Sequence, residues 1–200
     1  MLLLMIAGGL ILVWAFSQST YATATLAPPP QPVPFSHAHH VAGLGIDCRY
    51  CHSSVEQSAF AGMPSTDTCM NCHKEIWTSA ELLAPVRESW RSGERIEWTR
   101  VYNVPDFVFF NHSVHVQSGI GCVTCHGRVD RMPLMYEARQ MYMSFCLDCH
   151  RNPEQFVQPR ETVFDMDWQP PPDREAMGRR LVEEYHIDTH GLTDCTACHR

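Results

Sequence analysis

Lysine is almost absent from this chain of 200 residues, which holds one lysine, Lys74, and 14 arginines against 22 acidic residues. The formal net charge is −7, which disfavours nucleic acid as a partner because phosphate binding requires a basic face. The sequence also lacks a Gly-rich phosphate loop and a Gly-x-Ser-x-Gly nucleophile motif. These absences exclude several common enzyme classes.

Cysteine, by contrast, is abundant, and all ten cysteines lie in Cys-x-x-Cys-His motifs. The five motifs, numbered here as sites, are Cys48-Cys51-His52 (site 1), Cys69-Cys72-His73 (site 2), Cys122-Cys125-His126 (site 3), Cys146-Cys149-His150 (site 4) and Cys195-Cys198-His199 (site 5). This motif is the attachment signature of haem c. The two thiols bind the vinyl groups of one porphyrin edge, and the adjacent histidine binds the iron as the proximal ligand.

Three other uses of paired cysteines fit this pattern less well. A disulfide framework does not require a histidine after every second cysteine. Zinc sites of the Cys-x-x-Cys type use pairs of motifs, whereas this chain has an odd number. A redox dithiol requires one motif rather than five. We therefore predict five covalently bound haem c groups, each with its iron.

Five haems on 200 residues leave too little chain for a conventional hydrophobic core. The sequence predicts loops and short α-helices wrapped around the haems, which themselves form the core. Haem c is attached outside the cytoplasm, and the high cysteine content suits an oxidising compartment. We expect the haem domain on the periplasmic side of the cell membrane.

The first 16 residues carry no charged or strongly polar side chain and favour a membrane-spanning helix. With the stretch through Ala22, the apolar run reaches the roughly 20 residues that a span requires. The alternative is a cleaved signal peptide, for which Ala22-Thr23-Ala24 resembles a cleavage site, although a basic n-region is missing. We predict a single-pass transmembrane anchor over residues 1–24, with the N-terminus inside and the haem domain outside.

An internal repeat organises the rest of the chain. The pattern Phe-x-His-x-x-His begins at Phe35 before site 1 and at Phe110 before site 3, and two haem motifs follow each copy. The repeat predicts two di-haem modules. The predicted segments are a Pro-rich spacer over 25–35, di-haem module 1 over 36–85, a connector over 86–109, di-haem module 2 over 110–169, and a C-terminal helix with the fifth haem over 170–200.

Few regular elements are predicted between the motifs. Apolar periodicity indicates helices near 76–83 and 86–92, and alternation indicates a short strand over 95–104. Asp173 is expected to cap a helix that extends to about Tyr185.

Seven histidines remain after the five proximal ones. Six of them stand in repeated positions upstream of haem motifs and are predicted distal iron ligands: His37, His40, His112, His115, His186 and His190, with one of the last two serving site 5. His39 breaks the repeat and is expected not to bind iron. Met143 and Met132 are alternative distal ligands, which would raise the potential of their haem. Packing against a haem edge is the favoured role for both methionines.

The two modules resemble the class III, cytochrome c7-like multihaem fold. In that family the first histidine of each pair binds the haem of its own module and the second binds a neighbouring haem. The resemblance implies that His37 ligates site 1 and His112 ligates site 3. His40 and His115 would then ligate sites 2 and 4.

A longer stretch carries a narrower resemblance. Residues 98–132, WTRVYNVPDFVFFNHSVHVQSGIGCVTCHGRVDRM, and residues 143–154, MSFCLDCHRNPE, resemble the pentahaem cytochrome subunits of alternative complex III. That bacterial complex is a quinol:electron-acceptor oxidoreductase. Similar cytochromes also accompany polysulfide- or molybdopterin-type enzymes.

The resemblance implies an electron-transfer subunit without substrate chemistry of its own. Its partners would be an iron–sulfur or molybdopterin-like subunit, quinol-binding membrane subunits and a monohaem cytochrome. A periplasmic cytochrome c, a copper protein or an oxidase would accept the electrons, and membrane lipid would surround the anchor. The respiratory or photosynthetic context stays open.

Two other functions compete with this interpretation. One is a membrane-anchored multihaem quinol dehydrogenase of the NapC/NirT kind, in which a methionine often stands two residues beyond a haem-motif histidine. Here Ser54, Glu75, Arg128 and Asn152 stand at the corresponding positions of sites 1 to 4. The other is a soluble electron shuttle released by signal cleavage, which the lack of a lysine patch disfavours.

Overall fold

The computed structural model describes residues 1–200 as short helices joined by long irregular segments. The α-helices are α1 (Leu2–Ser17), α2 (Thr20–Thr23), α3 (Cys48–Cys51), α4 (Thr66–His73), α5 (Ala84–Ser92), α6 (His112–Gln117), α7 (Cys122–His126), α8 (Met143–Arg151), α9 (Arg174–Glu184) and α10 (Cys195–Cys198). A π-helix spans Ala38–Gly43, and single 3₁₀ turns span Glu81–Leu83, Val129–Arg131, Pro153–Gln155 and Arg160–Thr162. The only β pairing is in two isolated antiparallel bridges, Val108 with His199 and Ile120 with Val157.

The polypeptide buries little of its own surface. Only 19 of the 200 residues are buried, and the accessible surface is 13303 Å². A globular protein of this size exposes about 9,600 Å². Protein side chains alone therefore do not form a conventional core. This agrees with the sequence-based expectation that bound haems supply the core.

A small apolar cluster supports the first module. Val33, Met70, Leu83 and Val86 are buried together, so the Pro-rich segment packs against α4 and α5. The amide of Gln31 donates a hydrogen bond to the Thr99 carbonyl oxygen at 2.8 Å and accepts one from the Thr99 amide at 3.0 Å. The segment predicted as a spacer is therefore part of the folded unit, because Val33, which stands between prolines, is buried in the apolar cluster.

A second cluster supports the C-terminal part of the chain. Val157 is buried with Met177 and Leu181 of α9. Gly178 lies so close to the Glu154 carbonyl that a Cβ there would overlap its oxygen. Only glycine permits this approach, and α9 consequently lies directly on the 3₁₀ turn that follows site 4.

The predicted regular elements have mixed outcomes. The helix expected near 86–92 is confirmed as α5, and the helix that Asp173 precedes is confirmed as α9. The prediction of a helix near 76–83 is wrong, since irregular turns and one 3₁₀ turn occupy this stretch. The strand expected over 95–104 is also wrong. Its apolar residues Ile96 and Trp98 instead pack on the first cluster from an irregular segment that has no strand partner.

Helix α1 lies within the predicted anchor and ends at Ser17, after 16 residues. No helix of the structure has the length and apolar character needed to span a bilayer. The structure therefore does not support the predicted span over 1–24.

Candidate haem-binding sites

Each of the five Cys-x-x-Cys-His motifs forms a helical turn. Helices α3, α7 and α10 begin at the first cysteine of their motif, and sites 2 and 4 lie within α4 and α8. Residues three positions apart share one face of a helix, so the two thiols of each motif face the same direction. None of the ten cysteines is joined to another in a disulfide. No three His, Cys, Asp or Glu side chains converge in a cluster that could hold a metal ion, whereas haem iron needs only two axial ligands from the protein.

Thiols of different sites lie close enough for the charge of one to affect the pKa of another. Burial, followed by the charge of nearby Cys48, raises the pKa of Cys122 to about 12. Burial and nearby Cys146 raise the pKa of Cys125 to about 11. In the same way, burial and Cys69 raise the pKa of Cys51. Site 1 therefore adjoins sites 2 and 3, and site 3 adjoins site 4.

The fifth site continues this series. Burial and then nearby Cys198 raise the pKa of Cys146, so site 5 adjoins site 4. The Phe109 amide also donates a hydrogen bond of 2.7 Å to the Cys198 carbonyl oxygen. In space the sites follow each other in the order 2–1–3–4–5, which differs from their order in the chain.

The histidine rings are arranged in pairs across the sites. The separations of their ring centroids are 6.4 Å for His112 and His126, 6.2 Å for His115 and His150, and 6.2 Å for His40 and His73. With metal–nitrogen bonds of about 2 Å, two imidazoles on opposite faces of one iron place their ring centres about 6 Å apart. The three separations match that requirement.

His37 lies near His52, the motif histidine of site 1. Burial is the first cause that lowers the pKa of His37 to about 4, and the charge of nearby His52 is the second. Burial also lowers the pKa of His126 to about 4, with His112 as the next cause. Both histidines are therefore neutral at pH 7, which is the form that binds a metal.

Six histidines of these four pairs direct Nδ1 at a backbone carbonyl oxygen. The contacts are His40 to Ser36 (2.9 Å), His52 to Gly62 (2.8 Å), His73 to Ile76 (3.3 Å), His112 to Ala59 (2.9 Å), His115 to Asn111 (2.7 Å) and His150 to Leu192 (2.7 Å). A histidine that donates its Nδ1 proton in this way presents Nε2 to a metal. The Nδ1 atoms of His37 and His126 are buried without a partner.

The phenylalanine of each repeat packs on both histidines that follow it. Phe35 meets the ring of His37 edge to face at 5.0 Å and stacks on His40 at 4.4 Å. Phe110 makes the same two contacts with His112 and His115, at 4.8 and 4.6 Å. Each phenylalanine thus fixes the orientation of two predicted ligands.

The remaining predicted ligands are less constrained. The rings of His186 and His190 are exposed and contact no other histidine, and His199 lies 5.8 Å from Phe107. His39 is exposed and lies 6.1 Å from Trp77.

The two methionines lie in different environments. Met132 is buried beside Gly127, next to site 3, whereas Met143 is exposed at the first residue of α8.

One side chain at the sites carried no signal in the sequence. Tyr102 lies 4.6 Å from the His126 ring, edge to face. Its hydroxyl donates to the Cys125 carbonyl oxygen at 3.1 Å and accepts from the Ala138 amide at 2.8 Å. The residue follows no repeat in the chain, so its role depends on a long-range contact that pattern analysis does not reveal.

Comparison with known proteins agrees with this geometry. The family model for cytochrome c7 and related cytochrome c matches residues 108–200. The menaquinone reductase, multiheme cytochrome c subunit, of Nitratidesulfovibrio vulgaris (strain Hildenborough) is 34% identical over 160 residues, which cover 70% of this chain and 74% of that protein. The chain belongs to the multihaem c-type cytochromes related to cytochrome c7.

Membership in this family assigns the cytochrome an electron-transfer role with several bound haem c groups. The predicted c7-like architecture of short helices and loops is confirmed. The matched region comprises the second module and the C-terminal part, and the first module repeats its pattern outside that match.

Proposed function

We propose that this cytochrome is the pentahaem electron-transfer subunit of a membrane quinol:electron-acceptor oxidoreductase of the alternative complex III kind. The observation that carries the proposal is the set of histidine pairs with ring centroids 6.2–6.4 Å apart. Each pair joins a motif histidine to a histidine of the repeats, as bis-histidine ligation of haem iron requires. When bound, haem c supplies reversible one-electron chemistry.

The proposed axial pairs follow from these distances and from the proximity of His52 to His37, whose pKa it lowers. They are His37 with His52, His40 with His73, His112 with His126 and His115 with His150. His199 is the proximal ligand of site 5, and His190 or His186 supplies its distal ligand. Met132 and Met143 pack beside the haems, and His39 has no role in ligation.

The task of the polypeptide is to hold five sites in a row. The order 2–1–3–4–5 has two ends, and both are open to partners because Cys72 of site 2 and Cys195 of site 5 are exposed. Electron entry at one end and exit at the other requires no general base or nucleophile. This arrangement suits a subunit that connects other subunits to a periplasmic acceptor.

The proposed partners are quinol-binding membrane subunits, an iron–sulfur or molybdopterin-like subunit and a monohaem cytochrome. The relative from Nitratidesulfovibrio vulgaris is by name a subunit of a menaquinone reductase, which supports an assembly of this kind. Helix α1 has no buried residue, and its apolar surface supports contact with the membrane or with membrane subunits.

The experiment compares the isolated cytochrome with the complex purified in mild detergent. Stopped-flow growth of the haem α-band should follow dithionite in both samples and a menaquinol analogue only in the complex. Fast reduction of the isolated chain by quinol, blocked by a quinol-site inhibitor, would instead identify a self-sufficient quinol dehydrogenase. A pyridine haemochrome assay and the intact mass should show five haems per chain, and a count of two or three would refute the proposal.

A further inference from the structure

The four histidine pairs differ in how their Nδ1 atoms are bonded. At sites 2 and 4 both histidines of the pair bond a backbone carbonyl. At sites 1 and 3 only His52 and His112 do so. Their partners, His37 and His126, have buried Nδ1 atoms with no acceptor. The two sites with incomplete bonding are adjacent in the middle of the series.

This difference acts on the iron through the ligand. An Nδ1–H that donates to a carbonyl makes the imidazole more basic, and a more basic ligand stabilises ferric iron over ferrous iron. Second-shell hydrogen bonding is one of the means by which a protein sets a haem potential. Sites 1 and 3 each lack one of these bonds and therefore favour the ferrous state more than sites 2 and 4 do.

Burial does not separate the two groups of sites, because His115 of site 4 is withdrawn from water in the same way as His37 and His126. The difference in Nδ1 bonding therefore carries the comparison. Two carboxylates near Cys48 could oppose this effect, but each is paired. Asp47 bonds Arg49 at 2.8 Å, and Asp130 bonds Arg128 at 2.7 Å.

We propose that His37 and His126 make sites 1 and 3 a central pair of higher potential, flanked by sites 2 and 4 of lower potential. The proposal depends on the axial ligation proposed above. It implies that, among sites 1 to 4, the first electrons to enter settle on the central sites 1 and 3.

The ring planes provide a test that needs no mutation. The planes of His112 and His126 differ by 9°, whereas those of His40 and His73 differ by 60°. Nearly parallel axial rings give an ordinary rhombic low-spin signal in electron paramagnetic resonance, and strongly crossed rings give a signal with a larger maximum g value. The rings of His115 and His150 at site 4 differ by 27° and should also give a rhombic signal. In a potentiometric titration of the full chain loaded with haem, each ferric iron takes one electron from a mediator. One rhombic signal, that of site 3, should disappear before the large-g signal of site 2, and the rhombic signal of site 4 should persist to lower potential. Loss of the large-g signal first would overturn the proposal.

Substitution of single distal ligands assigns the remaining sites. Methionine in place of a distal histidine raises the reduction potential of that haem. In each variant one reduction step therefore shifts to a higher potential, while the steps of the other haems stay in place. In His37→Met and His112→Met, the reduction step that shifts should be one of the two with the higher potentials among the four bis-histidine haems. In the matched variants His40→Met and His115→Met, the step that shifts should be one of the two with the lower potentials. The reverse assignment, or an interleaved one, would contradict the proposal.

Failure of this proposal is distinguishable from failure of the ligation itself. Near-infrared magnetic circular dichroism of the wild type reports whether the irons carry two histidines. Without the bis-histidine band, the proposed ligation is wrong. With the band present and sites 1 and 3 at the lower potentials, the ligation holds and only the present inference is overturned.

Discussion

The two copies of the Phe-x-His-x-x-His pattern place their rings alike but arrange their backbones differently. The phenylalanine meets the first histidine edge to face and stacks on the second in both copies. The histidines of the second copy lie in α-helix α6, whereas those of the first precede or lie in a π-helix over Ala38–Gly43.

An extra residue accounts for the π-helix. Phe35 precedes the first cysteine of its module by 13 positions and Phe110 by 12. After the second histidine the copies realign, since the Ile46 amide bonds the His40 carbonyl oxygen at 3.1 Å and the Ile120 amide bonds that of His115 at 2.9 Å. A π turn accommodates one additional residue within a helical segment. The comparison shows that the ring positions are preserved while the backbone that follows the second histidine accommodates the extra residue.

The largest expected effect tests whether the two modules depend equally on their first site. Cys122→Ala/Cys125→Ala should lower the intact mass by one haem and sharply reduce the yield of folded protein, because these thiols lie near sites 1 and 4 respectively. Cys48→Ala/Cys51→Ala should also remove one haem but leave more folded protein. Mass spectrometry and the yield after gel filtration measure both. Equal yields would show that the modules are energetically equivalent.

The next effect concerns the distal ligands. His112→Ala should convert one low-spin iron to the high-spin state and reduce the near-infrared bis-histidine band by the share of one site. His39→Ala is the matched control from the first copy, and it should leave every haem spectrum unchanged because His39 is exposed. A spectral change in the control variant would assign His39 to an iron.

Two corresponding glycines offer a closely matched pair. Gly119 and Gly45 have φ of 77° and 69°, where an added Cβ costs about 1–2 kcal/mol. A Cβ at Gly119 would also overlap the Gln158 carbonyl oxygen, whereas one at Gly45 meets nothing within 4 Å. We expect Gly119→Ala to lower the free energy of unfolding by about 1–3 kcal/mol more than Gly45→Ala does. Guanidinium unfolding monitored at the Soret band measures the difference. Equal midpoints would show that the backbone near Gln158 moves to make room for the added Cβ.

The smallest effect is expected from removing the extra residue itself. Deletion of Ala42 should allow the first copy to adopt the α-helical turn of the second, with five haems retained and a change in stability of less than about 1 kcal/mol. Deletion of Gln117 from α6, which contains no extra residue, is the matched control. It should lower the stability more than deletion of Ala42 does. Haem content and thermal unfolding distinguish the two deletions. Loss of site 1 in the Ala42 deletion would mean that the π-helix is required.

The sequence predicts the haem motifs and α9 well, because these depend on local spacing. Its assignment of the distal histidines stays a prediction. The sequence does not predict the order 2–1–3–4–5, since that order arises from contacts between residues such as Cys48 and Cys122 that are far apart in the chain. The same limit applies to Tyr102 and to the Nδ1 acceptors, because any residue type can supply a carbonyl oxygen. The expected strand over 95–104 failed for a related reason: alternation indicates a strand only where a neighbouring strand exists to pair with it.

The close approach of Gly178 to Glu154 has a mechanical consequence for the C-terminal end of the series. Glu154 follows His150 by four residues, so α9 is seated directly behind site 4, and the His150 ring in turn holds the Leu192 carbonyl three residues before site 5. A chain tied at both points has little freedom to change the spacing between its last two sites. We therefore expect sites 4 and 5 to move together as one unit, so that the distance between their irons stays constant during electron transfer.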